Sequence, residues 1–504
     1  MTSGIFGRIT KTAAALSANQ FLHLLMQLLL PPLFLASYGV KNYSEWLVLS
    51  AAMGFFGFLD LGLQTYVANK LTVFYHNSDL EGFHRFQSTG LLISLIVLFA
   101  TSVLALVVFF IPIGQWLSVT MPSTRVAIIL YLLLLQILVF IFWGQMASAY
   151  RAIGQAYRSV MWFNLQKMAM LIVTVGAVAL KQSFIIVASL QLFVALLSLL
   201  SVWLDLSLRF KDISPKIMGF DRVLAKEIMK PSLYFSLFVF NNFLIYQLPV
   251  LILNHFESPL AIISFSVGRT LFSFIRQGLS VIQASIGPEI TRLEGIKDWG
   301  NLKRLYQGTE SLTISASVIF NTCIFMASPV LLMVWMKRTD IFLFEPMLIL
   351  MLVSAVMSLK EFKYYFQTMT NRHERTAVMM LISYIFMSGL SFIAAKHFGL
   401  SGLLLVWLMI EVLQLFIIQQ YNRQLFKDIF KVTPRQSIIM VVVLLVFSIA
   451  SVIFKYRMVD QATPVIMTQA FVVLLIMSSL SLYLFKGREI IGFARKRIFH
   501  SIIK

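Results

Sequence analysis

The segment from Leu260 to Gly287, LAIISFSVGRTLFSFIRQGLSVIQASIG, is apolar enough to cross a membrane and yet carries Arg269 and Arg276. The two arginines are seven residues apart, close to two turns of a 3.6-residue helix, so both guanidinium groups leave from one face. Ser266, Ser273, Ser280 and Gln283 return to the same stripe, while Phe265, Leu271, Phe272, Phe274, Leu279 and Ile282 fill the other faces. A charge near the bilayer centre costs about 2.5–3.5 kcal/mol, so two of them call for compensation elsewhere. A stripe facing a water-filled or ligand-filled interior supplies it. The spacing therefore predicts one wall of a cationic cavity for an anionic substrate. Snorkelling to an interface, or pairing with a buried carboxylate, is the structural alternative.

The rest of the chain has the same character. Of 504 residues, 59% are hydrophobic and 12% charged, too little polar surface for a soluble protein of this length, and the class is polytopic membrane protein. A single cysteine, Cys323, excludes a disulfide framework within the chain and any multi-cysteine metal site. The formal net charge of +20 reads as basic cytoplasmic loops, not as a nucleic-acid surface.

Apolar runs of roughly 17–25 residues predict about fourteen membrane helices. The first seven lie near 13–37, 45–67, 87–111, 126–149, 160–180, 184–205 and 232–255. The others lie near 260–287, 309–335, 343–366, 377–395, 402–420, 437–454 and 464–485. With the N-terminus inside, about thirty of the 41 lysines and arginines fall in cytoplasmic segments and about eight outside. Three, Lys167, Arg269 and Arg276, are assigned to spans. Both termini are thus expected in the cytoplasm. The outer loops are short, so no external catalytic domain is expected.

The expected organisation is a six-helix bundle over 1–205, a cytoplasmic amphipathic linker over 206–231 and a second six-helix bundle over 232–424. Two further helices over 425–485 and a basic cytoplasmic tail over 486–504 complete it. The linker interleaves Arg209, Lys211, Lys216, Arg222, Lys226 and Lys230 with Phe210, Ile213, Phe220, Leu224 and Ile228, a pattern suited to an anionic leaflet. A faint internal repeat relates the two bundles. Asn69-Lys70-Leu71, Asp79, Arg85, Phe86 and Gln87 recur as Thr291-Arg292-Leu293, Asp298, Arg304, Tyr306 and Gln307, offset by about 220 residues. Such repeats build alternating access in transporters.

No phosphate-binding loop, HExxH motif or metal-ligand cluster of His, Asp and Glu occurs in the sequence, so no cofactor or metal is expected. Several polar groups do lie inside spans. Gln20, His23 and Gln27 share a face of helix one, either as cavity groups or as helix–helix partners. Asp60, in Leu59-Asp60-Leu61-Gly62-Leu63, suits a gate or ion-coupling contact near the cytoplasmic end. Asn164 and Lys167 lie one turn apart in helix five, and Lys167 either snorkels or faces the cavity. Asn242 and Tyr246 form a polar i, i+4 pair beside Pro249. Glu411 sits mid-span with Gln414 one turn on, placed for proton coupling or for pairing with Lys360 or Lys363. A net-positive interior favours anions such as phosphate or pyrophosphate.

Tyr38-Gly39, Tyr43-Ser44-Glu45-Trp46, Phe58-Leu59-Asp60-Leu61-Gly62-Leu63 and Asn69-Lys70-Leu71 resemble the signature of bacterial polysaccharide transporters. These are the O-antigen and capsule repeat-unit flippases of the superfamily that also holds multidrug-and-toxin exporters and the lipid II flippase. The motif covers about 35 residues, and the helix count and two-lobed plan extend the likeness along the chain. The resemblance implies a flippase in the bacterial inner membrane that moves a polyprenyl-pyrophosphate-linked oligosaccharide from the cytoplasmic to the outer leaflet. It implies alternating access, ion-gradient coupling, and a polymerase or chain-length regulator as protein partner. It also implies cationic cavity residues for the pyrophosphate, with Arg269 and Arg276 in the natural positions. The lipid II flippase has arginines in its first two helices, whereas this chain has His23 there, which points to a different glycan. Three other classes remain: a multidrug exporter of the same superfamily, a membrane-embedded polysaccharide-synthesis enzyme, and a structural partner of a synthesis complex. The first calls for cation-binding carboxylates, the second for large outer loops, and the third for indifference to loss of the arginines.

Overall fold

The computed structural model describes residues 2–60, 63–216, 219–370, 372, 374–427, 432 and 434–457. The span expected at 464–485 and the basic tail lie outside the described residues. Within them the chain is all helical, as the apolar runs predict. In order the helices are α1 (Thr2–Gly54), α2 (Leu63–His76), α3 (Leu80–Ala105), α4 (Ile113–Trp116), α5 (Ser123–Ala152), α6 (Ala156–Ala179) and α7 (Phe184–Arg209). There follow α8 (Arg222–Tyr246), α9 (Leu248–Phe256), α10 (Pro259–Gly295), α11 (Trp299–Met336), α12 (Phe344–Met369), α13 (Glu374–Leu425) and α14 (Arg435–Arg457).

Eight of the described helices are long and apolar enough to cross a membrane. Two of these eight are double. α1 is broken at Gly39 (φ 75°, ψ 177°) and α13 at Gly399 (φ 61°, ψ −147°), backbone conformations that only glycine adopts without strain. Each break joins two of the spans expected from sequence. Helix two is itself interrupted, passing through a 3₁₀ turn over Phe55–Asp60 before α2 begins. α12 has the length of a span but carries Glu345, Lys360, Glu361 and Lys363.

The chain forms two compact units, Met1–Ile263 and a second beginning at Ser264. In the first, Leu63, Val67 and Leu71 of α2 meet Phe83 and Phe86 of α3, Trp143, Met146 and Tyr150 of α5, and Val202 and Leu206 of α7. Ile213 and Ile228 of the linker belong to this same core, with Phe210 and Leu224 packed against it. Part of the apolar face expected to rest on lipid is therefore spent on protein, although Phe220 and Val223 stay exposed. Ion pairs Lys70–Glu227 (2.7 Å) and Arg85–Asp221 (2.9 Å) fasten the linker further. The amides of Leu224 and Val223, helped by Arg85, hold the exposed Asp221 carboxyl below the usual carboxylate range as it caps α8.

In the second unit α12 is the central element, with every residue from Pro346 to Lys360 buried. It packs against α11 and α13. Between helices in lipid there is little hydrophobic driving force, so small residues and hydroxyl bonds matter. Ser317 donates to the carbonyl of Ala355 and Ser354 to that of Phe272, both at 3.1 Å.

The faint repeat has a structural counterpart. Ser78 (φ 59°) precedes Asp79, whose carboxylate caps α3 at the Gly82 amide (2.8 Å). Lys297 (φ 56°) precedes Asp298, which caps α11 at the Asn301 amide (3.2 Å). One left-handed residue and one aspartate cap thus recur at the repeat offset.

Candidate functional site

On α10 the arginine stripe forms as the spacing requires, graded in depth. Ser266 and Gln283 are buried, Arg269, Ser273 and Arg276 half-buried, and Ser280 exposed. The hydroxyls of Ser273 and Ser280 donate to the carbonyls of Thr270 (2.7 Å) and Gln277 (2.8 Å), and Gln277 donates to Ser273 (3.1 Å). Arg269 lies over the ring of Phe265, 5.3 Å from its centroid. Arg276 contacts the sulfur of Met357 (2.9 Å) and the carboxylate of Glu361 (3.5 Å). Both guanidinium groups therefore leave α10 on its polar face, with apolar side chains beneath them.

Of the two lysines the sequence offers Glu411, the structure pairs it with Lys360 of α12, which also donates to Tyr384 and to Gln414 (2.9 Å). The second oxygen of Glu411 accepts from Tyr384 (3.0 Å) and from the indole of Trp407 (3.1 Å). All five residues are at most 1% exposed. The three ammonium protons and both carboxylate oxygens are used, which makes this a closed network.

One turn further along α12, Lys363 pairs with Glu310 of α11 and reaches Tyr306 (3.4 Å). Gln367 continues the row by donating to Asn422 (2.7 Å) and accepting from Thr376. Lys360 and Lys363 are thus deep cations, which corrects the assignment of only Lys167, Arg269 and Arg276 to spans. Their charges are cancelled by Glu411 and Glu310. Sequence reasoning had not singled out Glu310. Its signal is the row Lys360, Lys363, Gln367, which has the same helical period as the arginine stripe.

In the first unit, polar residues collect on the seam between α1 and α6. Asn19 donates to Asn164 (2.8 Å), Lys167 donates to Asn19 (3.2 Å), and Asn164 donates to the carbonyl of Ala15 (2.8 Å). Lys167 lies 4.5 Å from the centroid of Phe163, and His23 and Gln27 are bonded at 3.1 Å. Gln20 is half-buried on the same helix. Asn242 stands exposed on α8 beside the buried Asn241.

Asp60 ends the 3₁₀ turn and opens into a polar cavity of about 220 Å³ with Gln64, Ser148, Arg151 and Ser159. Gln64 bonds its carboxylate, and the other oxygen, Oδ1, is buried without a hydrogen-bond partner.

No protein-family model matches the sequence, and no curated protein matches it. Solved structures do. A lipid II flippase, MurJ, in an inward closed conformation aligns with a TM-score of 0.68 at 12% identity, over 97% of this chain and 99% of the flippase. An inward-facing multidrug resistance MATE family transporter of the MOP superfamily aligns with a TM-score of 0.67 at 13% identity, over 81% of this chain and 95% of that one. A MOP superfamily transporter from Pyrococcus furiosus, reported with a binding pocket of reversed polarity, aligns with a TM-score of 0.53 at 13% identity, over 84% and 96%. The chain has the all-helical fold of these MOP-superfamily membrane transporters.

Proposed function

We propose that this chain is a flippase that carries a polyprenyl-pyrophosphate-linked oligosaccharide from the cytoplasmic to the outer leaflet of a bacterial inner membrane by alternating access. The observation that carries the reading is the pair Arg269 and Arg276, half-buried on one polar face of α10. Lys360 and Lys363 of the same unit pair with Glu411 and Glu310, and Arg276 lies 3.5 Å from Glu361. Two guanidinium groups two turns apart suit a pyrophosphate, which accepts several charge-assisted bonds. The match to a lipid II flippase over 97% of the chain, against 81% for the exporter, supports a lipid-linked cargo. Both termini lie in the cytoplasm in this reading, and Lys167, His23, Gln20 and Asn242 contribute polar contacts to the glycan. A polymerase or chain-length regulator takes over the product.

The test uses cells that lack the protein but keep the rest of the glycan pathway. Complete lipid-linked units are expected to accumulate facing the cytoplasm and to clear on complementation. A normal lipid-linked pool and a normal surface glycan would overturn the reading and make drug efflux the next assay.

For coupling we propose Asp60 as the carboxylate to test before Glu411. Asp60 lines that cavity with Oδ1 buried and without a hydrogen-bond partner, and among the described residues Arg151 is the other charged side chain there. Both oxygens of Glu411 are already bonded, to Lys360 on one side and to Tyr384 and Trp407 on the other. Asp60→Asn is expected to leave insertion intact and to remove most of the dependence of transport on the proton gradient. Unchanged gradient dependence in this variant would exclude Asp60 from coupling.

A further inference from the structure

A groove of about 1060 Å³ runs along the first unit between α1 and α6 and ends against α7. It exists because α1 presents Ala14, Ala15 and Ala18 where larger side chains would close the seam. Phe21, Met161, Leu165 and Met168 form its walls and are all largely exposed. From Tyr157 to Met168, α6 rises about 16 Å, close to the half-thickness of about 15 Å of a bilayer's hydrocarbon core. The trough therefore has the length of one leaflet.

Its mouth has the opposite chemistry. Lys11 lies over the ring of Tyr157 (5.6 Å), and Arg158 over that of Phe210 (4.9 Å). Arg158 and Arg209 both approach the carboxylate of Asp205, at 3.5 and 3.4 Å. Asp205 is buried and also accepts from Tyr150 (2.6 Å) and from the indole of Trp162 (3.4 Å). It acts as a saturated post that orients two guanidinium groups. Three cations against one carboxylate leave a net positive mouth above an apolar trough.

We propose that this groove binds an anionic membrane phospholipid, with its phosphate at Lys11, Arg158 and Arg209 and one acyl chain along the alanine floor. Charge complementarity at the mouth and the leaflet-length trough select this occupant. The site is separate from the α10 stripe and does not depend on the identity of the transported cargo. Arg158 and Arg209 are positioned through Asp205, so the mouth is preformed.

The test is native mass spectrometry of the full chain with phosphatidylglycerol and phosphatidylcholine of matched acyl chains. The wild type is expected to retain phosphatidylglycerol selectively. The double variant K11Q/R158Q is expected to weaken that retention about tenfold or more, the scale of one lost charge-assisted bond. Ala18→Phe, which fills the trough and leaves the charges in place, is expected to weaken it with no change in thermal stability in detergent. Equal retention of the two lipids, or wild-type retention by K11Q/R158Q and by Ala18→Phe, would overturn the proposal. Displacement of phosphatidylglycerol by a polyprenyl pyrophosphate at lower concentration would also overturn it, assigning the groove to a transported lipid.

Discussion

Glu411→Gln is expected to destabilise the protein by about 3–5 kcal/mol, the usual cost of removing one partner of a buried ion pair. The variant leaves the Lys360 ammonium inside α12 with its strongest acceptor gone, and Tyr384 and Trp407 lose the carboxylate they donate to. Lys360→Met is expected to cost a similar amount by stranding the carboxylate instead. The double variant K360M/E411L removes both charges at once and is expected to recover most of the loss, since apolar replacement of a whole buried pair is often close to neutral. Thermal unfolding of the detergent-solubilised protein checks all three. A Glu411→Gln protein as stable as the wild type, with transport altered, would return Glu411 to the transport mechanism.

The second large effect is on transport. Arg269→Ala and Arg276→Ala are each expected to lower flipping by about 10- to 100-fold, the equivalent of one charge-assisted hydrogen bond of about 1.5–3 kcal/mol. Membrane insertion should be unaffected, because each change lightens a costly interior charge. Lysine at either position is expected to retain part of the activity, keeping the charge but not the planar fork. Glu361→Gln offers a contrast. It releases Arg276 from its neighbouring carboxylate (3.5 Å) and is expected to preserve activity. The leaflet distribution of the lipid-linked pool reads each variant. Full activity in both alanine variants would remove the stripe from the site.

The helices were legible because apolar runs of membrane length carry a strong signal, and Arg269 and Arg276 stood out because charge inside such a run is rare. What could not be read is pairing across the chain. Glu411 meets Lys360 from 51 residues away, and the sequence offered Lys363 as an equal partner until the helices were placed. Lys363 took Glu310 on a third helix. Nothing in the sequence marks out Asp205, and its role is visible only where Tyr150, Trp162 and two arginines converge on it. The linker is hard to read for a different reason. Basic residues alternating with apolar ones look the same whether the apolar partners are lipid tails or Phe83 and Phe86. The Gly39 break falls in the gap between the spans expected at 13–37 and 45–67, where Lys41, Asn42 and Ser44 interrupt the apolar run.

That break has a practical use. Tyr38, just before Gly39, donates to the carbonyl of Gln182 (2.6 Å), and Glu45, just after it, accepts from the amide (2.8 Å) and hydroxyl of Thr120. Both sides of the joint are moored, and the joint itself is one residue long with no slack to pay out. A pair of spin labels on α1, one on each side of Gly39, should therefore hold a fixed separation throughout the working cycle. It would serve as a built-in ruler against which distances that do change can be calibrated.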